Sequence, residues 1–217
     1  MPTIAPSILS ADFGRLADEA RAAAAGGADW LHVDVMDGHF VPPITIGPAV
    51  VRALRRATTL PLDVHLMIQH PERQVPEFVR AGATGITIHV EADTDVAATL
   101  AAIRAAGAHP GLALNPPTPL EHVRPYLTAI DLLLVMSVNP GWAGQAFVEG
   151  SLEKLTAACR LRAEAGAGFE IEVDGGIKPH NAALAAAAGA DVLVAGSAVF
   201  ESPDYAEAIR ALRGAAR

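Results

Sequence analysis

Cysteine, aromatic residues and charged residues are all scarce in this chain of 217 residues. Its single cysteine, Cys159, excludes an intramolecular disulfide and fits a reducing compartment, so we expect a cytoplasmic protein. Aromatic residues make up 5% of the sequence and charged residues 18%, whereas hydrophobic residues make up 51%. A chain of this length and composition can bury one substantial core without disulfides.

Basic residues are also few. Lysine and arginine total 16, against 24 aspartates and glutamates, which gives a formal net charge of −8. Because non-specific binding of nucleic acid depends on a basic surface, we expect no nucleic-acid partner. The N-terminus lacks a basic region followed by an apolar one, so we do not interpret it as a signal peptide.

One stretch, NAALAAAAGADVLVAGSAVF, has enough apolar residues to suggest a membrane span. Gly189 and Asp191 interrupt its middle. A helix followed by a buried strand explains this pattern better than a continuous membrane helix does. We therefore expect no membrane partner.

Alanine-rich helical ends recur along the chain, each followed by a glycine and then by an aliphatic run. The glycines are Gly27, Gly82, Gly107, Gly166 and Gly189. Glycine is favoured at these points because helices often end through a residue in the left-handed conformation. The aliphatic runs are typical of strands buried on both faces. Repeated helix-to-strand units of this kind predict a parallel sheet.

Eight strands are predicted in total, each followed by a helical segment. They centre near Ile4, Val33, Val64, Ile86, Leu112, Leu133, Ile171 and Leu193. This number and order predict an α/β fold of the (β/α)₈ TIM-barrel type. No linker or block of charge divides the chain, so we expect a single compact domain over residues 1–217. The alternative is an open doubly wound sheet, which needs a glycine-rich fingerprint after the first strand, and SILSADFG is not one.

Polar side chains stand where several of the predicted strands end. They are Ser7, His32, Asp34, His65 and Asp174. Taken singly, each residue type is more often a turn former, a helix cap or a core residue. In a barrel, however, these strand ends converge on one mouth, where the chemistry lies. Two imidazoles and two carboxylates suit a divalent cation such as Zn²⁺, Fe²⁺, Mn²⁺ or Co²⁺.

The loops after the seventh and eighth predicted strands read DGGIKPHN and AGSAVF. Many barrels bind phosphate at these two loops through backbone N–H groups. Gly175, Gly176 and Gly196 allow the backbone to approach a ligand closely, and Ser197 offers both an N–H and a hydroxyl. We expect a phosphate group here. Lys178 could contact it or could be a solvated surface charge.

The loop after the sixth predicted strand, SVNPGWAGQAF, is long for this chain. Gly141 and Gly144 could let it close over a ligand and exclude water. His89, Glu91 and Asn115 also follow strands, but the sequence favours a structural role for them over contact with substrate.

Six segments resemble the ribulose-phosphate 3-epimerase family: APSILSADF, GADWLHVDVMDGHFVPPITIG, DVHLMI, VNPGWAGQAF, EVDGGI and AGSAVF. The resemblance spans nearly the whole chain, and the joint match is highly specific. It implies a metal-dependent isomerase of the pentose phosphate pathway. The implied reaction is epimerisation at C3 of D-ribulose 5-phosphate to D-xylulose 5-phosphate, with this sugar phosphate as the small-molecule partner. We also expect a homo-oligomer.

Carried over position by position, the resemblance implies roles for individual residues. One divalent cation would be held by His32, Asp34, His65 and Asp174, and the acid/base catalysts would be Asp34 and Asp174. The implied substrate-binding residues are Ser7, His65, Gly141, Trp142, Ala143, Gly144, Asp174, Gly175, Gly176, Gly196 and Ser197. The methionines implied to line the pocket are Met36, Met67 and Met136. Where the family's loop usually reads Pro-Gly-Phe-Gly-Gly, this chain has Trp142 and Ala143, and Ala143 reduces the freedom of that backbone.

Three alternatives stay open. An allulose 6-phosphate 3-epimerase would have to accommodate one more carbon near the phosphate loops. The orotidine-decarboxylase and hexulose-phosphate-synthase group uses Asp-x-Lys-x-x-Asp at the second strand, but this chain has Met36 where that pattern has its lysine. A non-catalytic barrel that senses sugar phosphates would be expected to lose a ligand or a base, and the sequence retains all of them.

Overall fold

The computed structural model describes residues 1–92, 95–142, 145–148 and 150–215. The strands are β1 (Thr3–Ala5), β2 (Leu31–Met36), β3 (Leu62–Met67), β4 (Gly85–His89), β5 (His109–Leu114), β6 (Leu132–Met136), β7 (Glu170–Asp174) and β8 (Val192–Val194). The α-helices are α1 (Leu16–Ala25), α2 (Pro48–Ala57), α3 (Val75–Ala81), α4 (Val96–Ala105), α5 (Gly150–Glu164), α6 (Pro179–Ala187), α7 (Ser197–Phe200) and α8 (Tyr205–Ala215).

All eight strands are parallel and form one sheet in the order β1-β8-β7-β6-β5-β4-β3-β2. The two outer strands of this order also meet. Ser7, just after β1, forms a parallel bridge with His32 of β2. The N–H of His32 donates to the carbonyl of Pro6 at 3.0 Å. The sheet therefore closes into a barrel, which confirms the predicted (β/α)₈ fold, and each predicted strand centre lies within a strand.

Glycines mark the passage from helix to strand, as predicted. The five glycines predicted at helix ends have positive φ angles, from 59° at Gly166 to 109° at Gly189. At the end of α3, for example, the N–H of Gly82 donates to the carbonyl of Val79 at 3.0 Å. A residue with a Cβ adopts this left-handed conformation only at a cost, so glycine stabilises these helix ends.

The connection between β5 and β6 differs from the others, because its helical part consists of two short 3₁₀ helices. These are Leu120–His122 and Arg124–Tyr126. Four prolines lie in this connection: Pro116, Pro117, Pro119 and Pro125. Proline lacks an N–H and restricts the residue before it to extended conformations, so this segment does not form a regular α-helix.

The long apolar stretch noted in the sequence is divided among α6, β8 and α7. Within the described residues, no helix combines the length and the apolar character that crossing a membrane requires. The strand residues between α6 and α7 are buried, which explains the run of aliphatic side chains. The interpretation of this stretch as a helix followed by a buried strand is confirmed.

Strand alternation decides which side chains enter the barrel. Every residue of β2 is buried. Leu31, Val33 and Val35 belong to the main apolar core between the sheet and the helices. His32 and Asp34 alternate with them and therefore point into the barrel. The barrel interior is consequently polar beneath the carboxyl ends of the strands.

Candidate active site

A cavity opens at the carboxyl ends of the strands. Twelve of the predicted site residues line it: Ser7, Asp34, Met36, Met67, Met136, Gly141, Trp142, Asp174, Gly175, Gly176, Gly196 and Ser197. His32 and His65 are completely buried. Ala143 and Gly144 were also predicted, and they lie outside the described residues. The barrel thus brings together the fourteen predicted residues that the structure describes.

Asp34 lies at the centre of the polar contacts in this cavity. Its Oδ2 accepts a hydrogen bond from the Ser7 hydroxyl at 2.6 Å. Its Oδ1 lies 3.1 Å from Nδ1 of His65 and 3.3 Å from Nε2 of His32. Asp34 and His65 are partners in the register of β2 and β3, which explains why their side chains meet.

Four side chains could hold a metal ion. One ligand atom from each of His32, Asp34, His65 and Asp174 lies within 4.8 Å of the others. The Nε2 atom of His32 is buried and has no hydrogen-bond partner among the described residues. A buried nitrogen of this kind is costly unless another group satisfies it. Because two nitrogens and two oxygens suit first-row divalent metals, the residues present fit such an ion.

Two buried carboxylates that the sequence analysis missed lie next to His32. Its Nδ1 is 2.6 Å from Oδ2 of Asp63 and 3.6 Å from Oε1 of Glu172. A carboxylate at one ring nitrogen fixes the orientation of a histidine and leaves the other nitrogen for a metal. Strand alternation could have revealed both residues. Asp63 precedes His65 by two residues and Glu172 precedes Asp174 by two, so each pair lies on one face of its strand.

The two cavity carboxylates differ in their affinity for a proton. Burial alone would raise the pKa of Asp34, but the charge of His32, whose Nε2 lies 3.3 Å away, and the contact with His65 outweigh it and hold that pKa well below its usual value. Burial and the charge of Asp34 raise the pKa of Asp174 to about 7. Asp174 therefore holds a proton to a higher pH than Asp34 does.

The buried imidazoles also differ. Burial would lower the pKa of His32, but the charges of Asp34 and Asp63 raise it well above its usual value. Burial lowers the pKa of His65 to about 4, and its contact with Asp34 does not reverse the shift. In the metal-free protein, the positive charge beside Asp34 therefore belongs to His32, and His65 is neutral.

A hydrogen-bonded chain runs from His65 away from the cavity. Nε2 of His65 lies 2.8 Å from Nε2 of His89, and the two rings stack with their centroids 4.9 Å apart. Nδ1 of His89 lies 3.1 Å from Oε2 of Glu91. The backbone N–H of Asn115 donates to the other oxygen of Glu91. His89, Glu91 and Asn115 do not line the cavity.

The opposite wall of the cavity is formed by the loops after β7 and β8. A Cβ on Gly176, where φ is 65°, would lie 2.6 Å from the backbone nitrogen of Phe147, so only glycine fits there. Nζ of Lys178 donates to the hydroxyl of Ser197 at 2.7 Å. Of the two possibilities that the sequence left open, the structure places Lys178 in the cavity.

Methionines and one exposed tryptophan complete the cavity. Met36, Met67 and Met136 are buried and line its wall. Trp142 lies at the cavity and is 58% exposed. The side-chain amide of Gln145 donates to the carbonyl of Trp142 at 3.0 Å, which ties the two sides of this loop together. The arrangement combines an apolar wall with a polar one.

Comparison with known proteins gives a consistent match along the chain. Residues 3–200 match the model of the ribulose-phosphate 3-epimerase family. The ribulose-phosphate 3-epimerase of Synechocystis sp. is 52% identical over 99% of this chain and 94% of its own length. The chloroplastic ribulose-5-phosphate-3-epimerase of Arabidopsis thaliana is 50% identical over 99% of this chain and 77% of its own length.

Solved structures show the same fold at much lower sequence identity. KGPDC from Streptococcus mutans superposes with a TM-score of 0.74 over 100% of this chain and 97% of that one, at 17% identity. This likeness concerns the barrel alone.

Proposed function

Since this chain belongs to the ribulose-phosphate 3-epimerase family, we propose that it interconverts D-ribulose 5-phosphate and D-xylulose 5-phosphate by two-base proton transfer at C3. One observation carries this proposal. Asp34 and Asp174 line the same cavity, and the pKa of Asp34 is lowered whereas the pKa of Asp174 is raised. Environments that separate the pKa values of two carboxyl groups mark a base and an acid.

Inversion at C3 requires two groups on opposite sides of the carbon. A single base would tend to return the proton to the face from which it came. Asp34, which is ionised, removes the C3 proton of ribulose 5-phosphate, and Asp174 supplies a proton to the other face of the planar enediolate. In the reverse direction the two residues exchange roles. The Ser7 hydroxyl, which donates to Asp34, orients the carboxylate.

The proposed metal ligands are His32, Asp34, His65 and Asp174, which together could hold one divalent cation. When bound, Zn²⁺, Fe²⁺, Mn²⁺ or Co²⁺ supplies Lewis acidity that stabilises the negative charge developing on the ketose oxygens. Asp63 orients the His32 ring through Nδ1, so that Nε2 points to the other ligands. The methionine wall excludes water from the planar intermediate without offering it a proton.

The phosphate group of the substrate would bind at the loops after β7 and β8. Gly176 and Gly196 line this part of the cavity, where the absence of a Cβ lets the backbone near Phe147 and the side chain of Ser10 pack closely against these loops. Lys178 adds a positive charge and Ser197 a hydroxyl. Binding the phosphate here fixes the sugar between the two carboxylates. Gly141 and Trp142, at the rim, would cover the bound sugar.

The Asp174→Asn variant tests the proposal, because asparagine keeps the shape of the side chain and removes the base. With ribulose 5-phosphate in D₂O, we expect loss of epimerisation while Asp34 still exchanges the C3 proton. The recovered ribulose 5-phosphate should carry deuterium at C3 with its configuration retained, as measured by NMR and mass spectrometry. The matched variant Asp34→Asn, given xylulose 5-phosphate, should show the same retention through Asp174.

Metal content is measured in both variants first, since both aspartates are proposed ligands, and each variant is assayed after reconstitution. Continued inversion in either metal-loaded variant would contradict the two-base assignment.

Parallel assays with allulose 6-phosphate test the preference for a five-carbon substrate. A homo-oligomer in the cytoplasm stays a prediction, and sedimentation of the purified protein tests the assembly.

A further inference from the structure

Ser10 carries a hydroxyl group at the catalytic cavity that the proposed reaction does not use. It is the last residue of a short 3₁₀ helix, Ile8–Ser10, which follows β1. The residue lines the same cavity as Gly196 and Ser197. Its side chain is half-buried, and among the described residues its hydroxyl has no hydrogen-bond partner. This hydroxyl is therefore free to bind a ligand.

The pairing of β1 with β8 places Ser10 against the loop that follows β8. The N–H of Ser7, just after β1, donates to the carbonyl of Ala195, just after β8, at 3.2 Å. A Cβ on Gly196 would lie 2.6 Å from Oγ of Ser10, closer than real Cβ atoms come to another atom. Because glycine has no Cβ, the hydroxyl of Ser10 lies directly beside the backbone of this loop.

The loop after β8 holds a second hydroxyl with a free proton. Nζ of Lys178 donates to Oγ of Ser197 at 2.7 Å. A lysine ammonium group can only donate, so the Ser197 hydroxyl accepts this bond and keeps its own proton for another acceptor. No described residue accepts that proton. Two hydroxyl protons without acceptors therefore lie near one ammonium group around Gly196.

A phosphate group has the acceptors that this arrangement lacks. Its oxygens carry negative charge and accept several hydrogen bonds at once, and hydrogen bonds to charged acceptors are stronger than those between neutral groups. The three donors come from the loops after β7, β8 and β1, which are neighbours in the sheet. Three separate loops can therefore bind one phosphate group.

We propose that Ser10 binds the phosphate group of the substrate through its hydroxyl, together with Ser197 and Lys178. The inference rests on the proposed function, since it takes a sugar phosphate as the ligand of this cavity. It extends the phosphate site from the loops after β7 and β8 to the loop after β1. Ser10 is thus a binding residue, in contrast to Ser7 three residues earlier, whose hydroxyl donates to Asp34.

The Ser10→Ala variant tests the inference, because it removes the hydroxyl and keeps the Cβ. We expect KM for ribulose 5-phosphate to rise about 10-fold while kcat changes less than about twofold, since the lost bond holds the substrate and the transition state equally. The dissociation constant of inorganic phosphate should rise by a similar factor. It is measured by ³¹P NMR titration of the full chain with a chelator present, so that phosphate cannot bind to a metal ion.

Ser7→Ala is the matched control, because it removes a hydroxyl from the same cavity. It should lower kcat, since the Ser7 hydroxyl orients Asp34, and should leave the affinity for inorganic phosphate equal to that of the parent. Ser202→Ala is a second control, because the hydroxyl of Ser202 donates to the carbonyl of Asp204 at 3.0 Å and the residue does not line the cavity. This variant should match the parent in KM, kcat and phosphate affinity.

An unchanged affinity for inorganic phosphate in Ser10→Ala would overturn the inference, as would a parent protein that does not bind inorganic phosphate. A fall in kcat with KM unchanged would also overturn it, because Ser10 would then act in the chemical step. A parent protein that binds inorganic phosphate but does not epimerise ribulose 5-phosphate would contradict the proposed function alone. The phosphate titration does not depend on turnover, so the two failures are distinguishable.

Discussion

Replacing Asp174 with asparagine should make the metal-free protein more stable at pH 8, although it removes a proposed catalytic base. The pKa of Asp174 rises from 3.8 to about 7 through burial and the charge of Asp34. A carboxyl group whose pKa is higher in the folded state than in the unfolded state costs stability once the pH exceeds the unfolded value. Asparagine carries no charge and escapes this cost.

The size and sign of the effect follow from proton linkage. Below about pH 4 both states hold the proton, and the aspartate costs nothing. Between pH 4 and pH 7 unfolding releases the proton, so stability falls by about 1.4 kcal/mol per pH unit. Above pH 7 the cost levels off at about 4 kcal/mol, an upper bound because the Asp174 side chain is partly exposed.

Urea denaturation in the presence of a chelator, at pH 5 and pH 8, measures the difference. The free energy of unfolding of Asp174→Asn should exceed that of the parent, and the gap should be larger at pH 8. Asp18→Asn is the control, since that carboxylate is exposed and its ion pair with Arg21 contributes little. The reasoning would be refuted if the difference in unfolding free energy between Asp174→Asn and the parent were no larger at pH 8 than at pH 5. Added Zn²⁺ should make the parent more stable than Asp174→Asn, because the parent keeps all of the proposed metal ligands and the ion stabilises the folded state that binds it.

Three further outcomes are expected. Lys178→Gln should raise KM for ribulose 5-phosphate about 10-fold and change kcat less, because one charged contact to the phosphate is lost; steady-state kinetics would contradict this if kcat fell alone. In a Trp30→Phe background, the fluorescence of Trp142 should change when substrate saturates the site; an unchanged signal would place Trp142 away from the ligand. A strong chelator should abolish epimerisation and divalent metal should restore it, whereas full activity in metal-free protein would contradict the proposed metal site.

The strands were well predicted from the sequence because their signal is local. Buried parallel strands need aliphatic runs, and five of the strands follow a helix that ends near a glycine with positive φ, so Gly82 and its four counterparts mark those boundaries. The residues that enter the barrel from β2 were also predictable from their spacing. Asp63 and Glu172 could have been found by the same alternation, since each shares a strand face with a predicted ligand.

Other features of the site depend on contacts between distant segments, which no local pattern contains. The pairing of His65 with His89 follows from the packing of β3 against β4 in one register. The placement of Lys178 depends on the neighbouring loops after β7 and β8, which bring Ser197 within reach. Because such contacts are set by tertiary packing, nothing in the sequence distinguished these residues from solvated or structural ones.

The place where the barrel closes has a consequence for its mechanics. β1 has three residues, and it meets β2 through the bridge of Ser7 with His32 and the hydrogen bond from Ser7 to Asp34. A ligand that binds His32 and Asp34 therefore also stabilises the contact between β1 and β2. Opening of this seam and release of the ligand become one cooperative event, and the amide of His32 should exchange with solvent more slowly in the loaded protein.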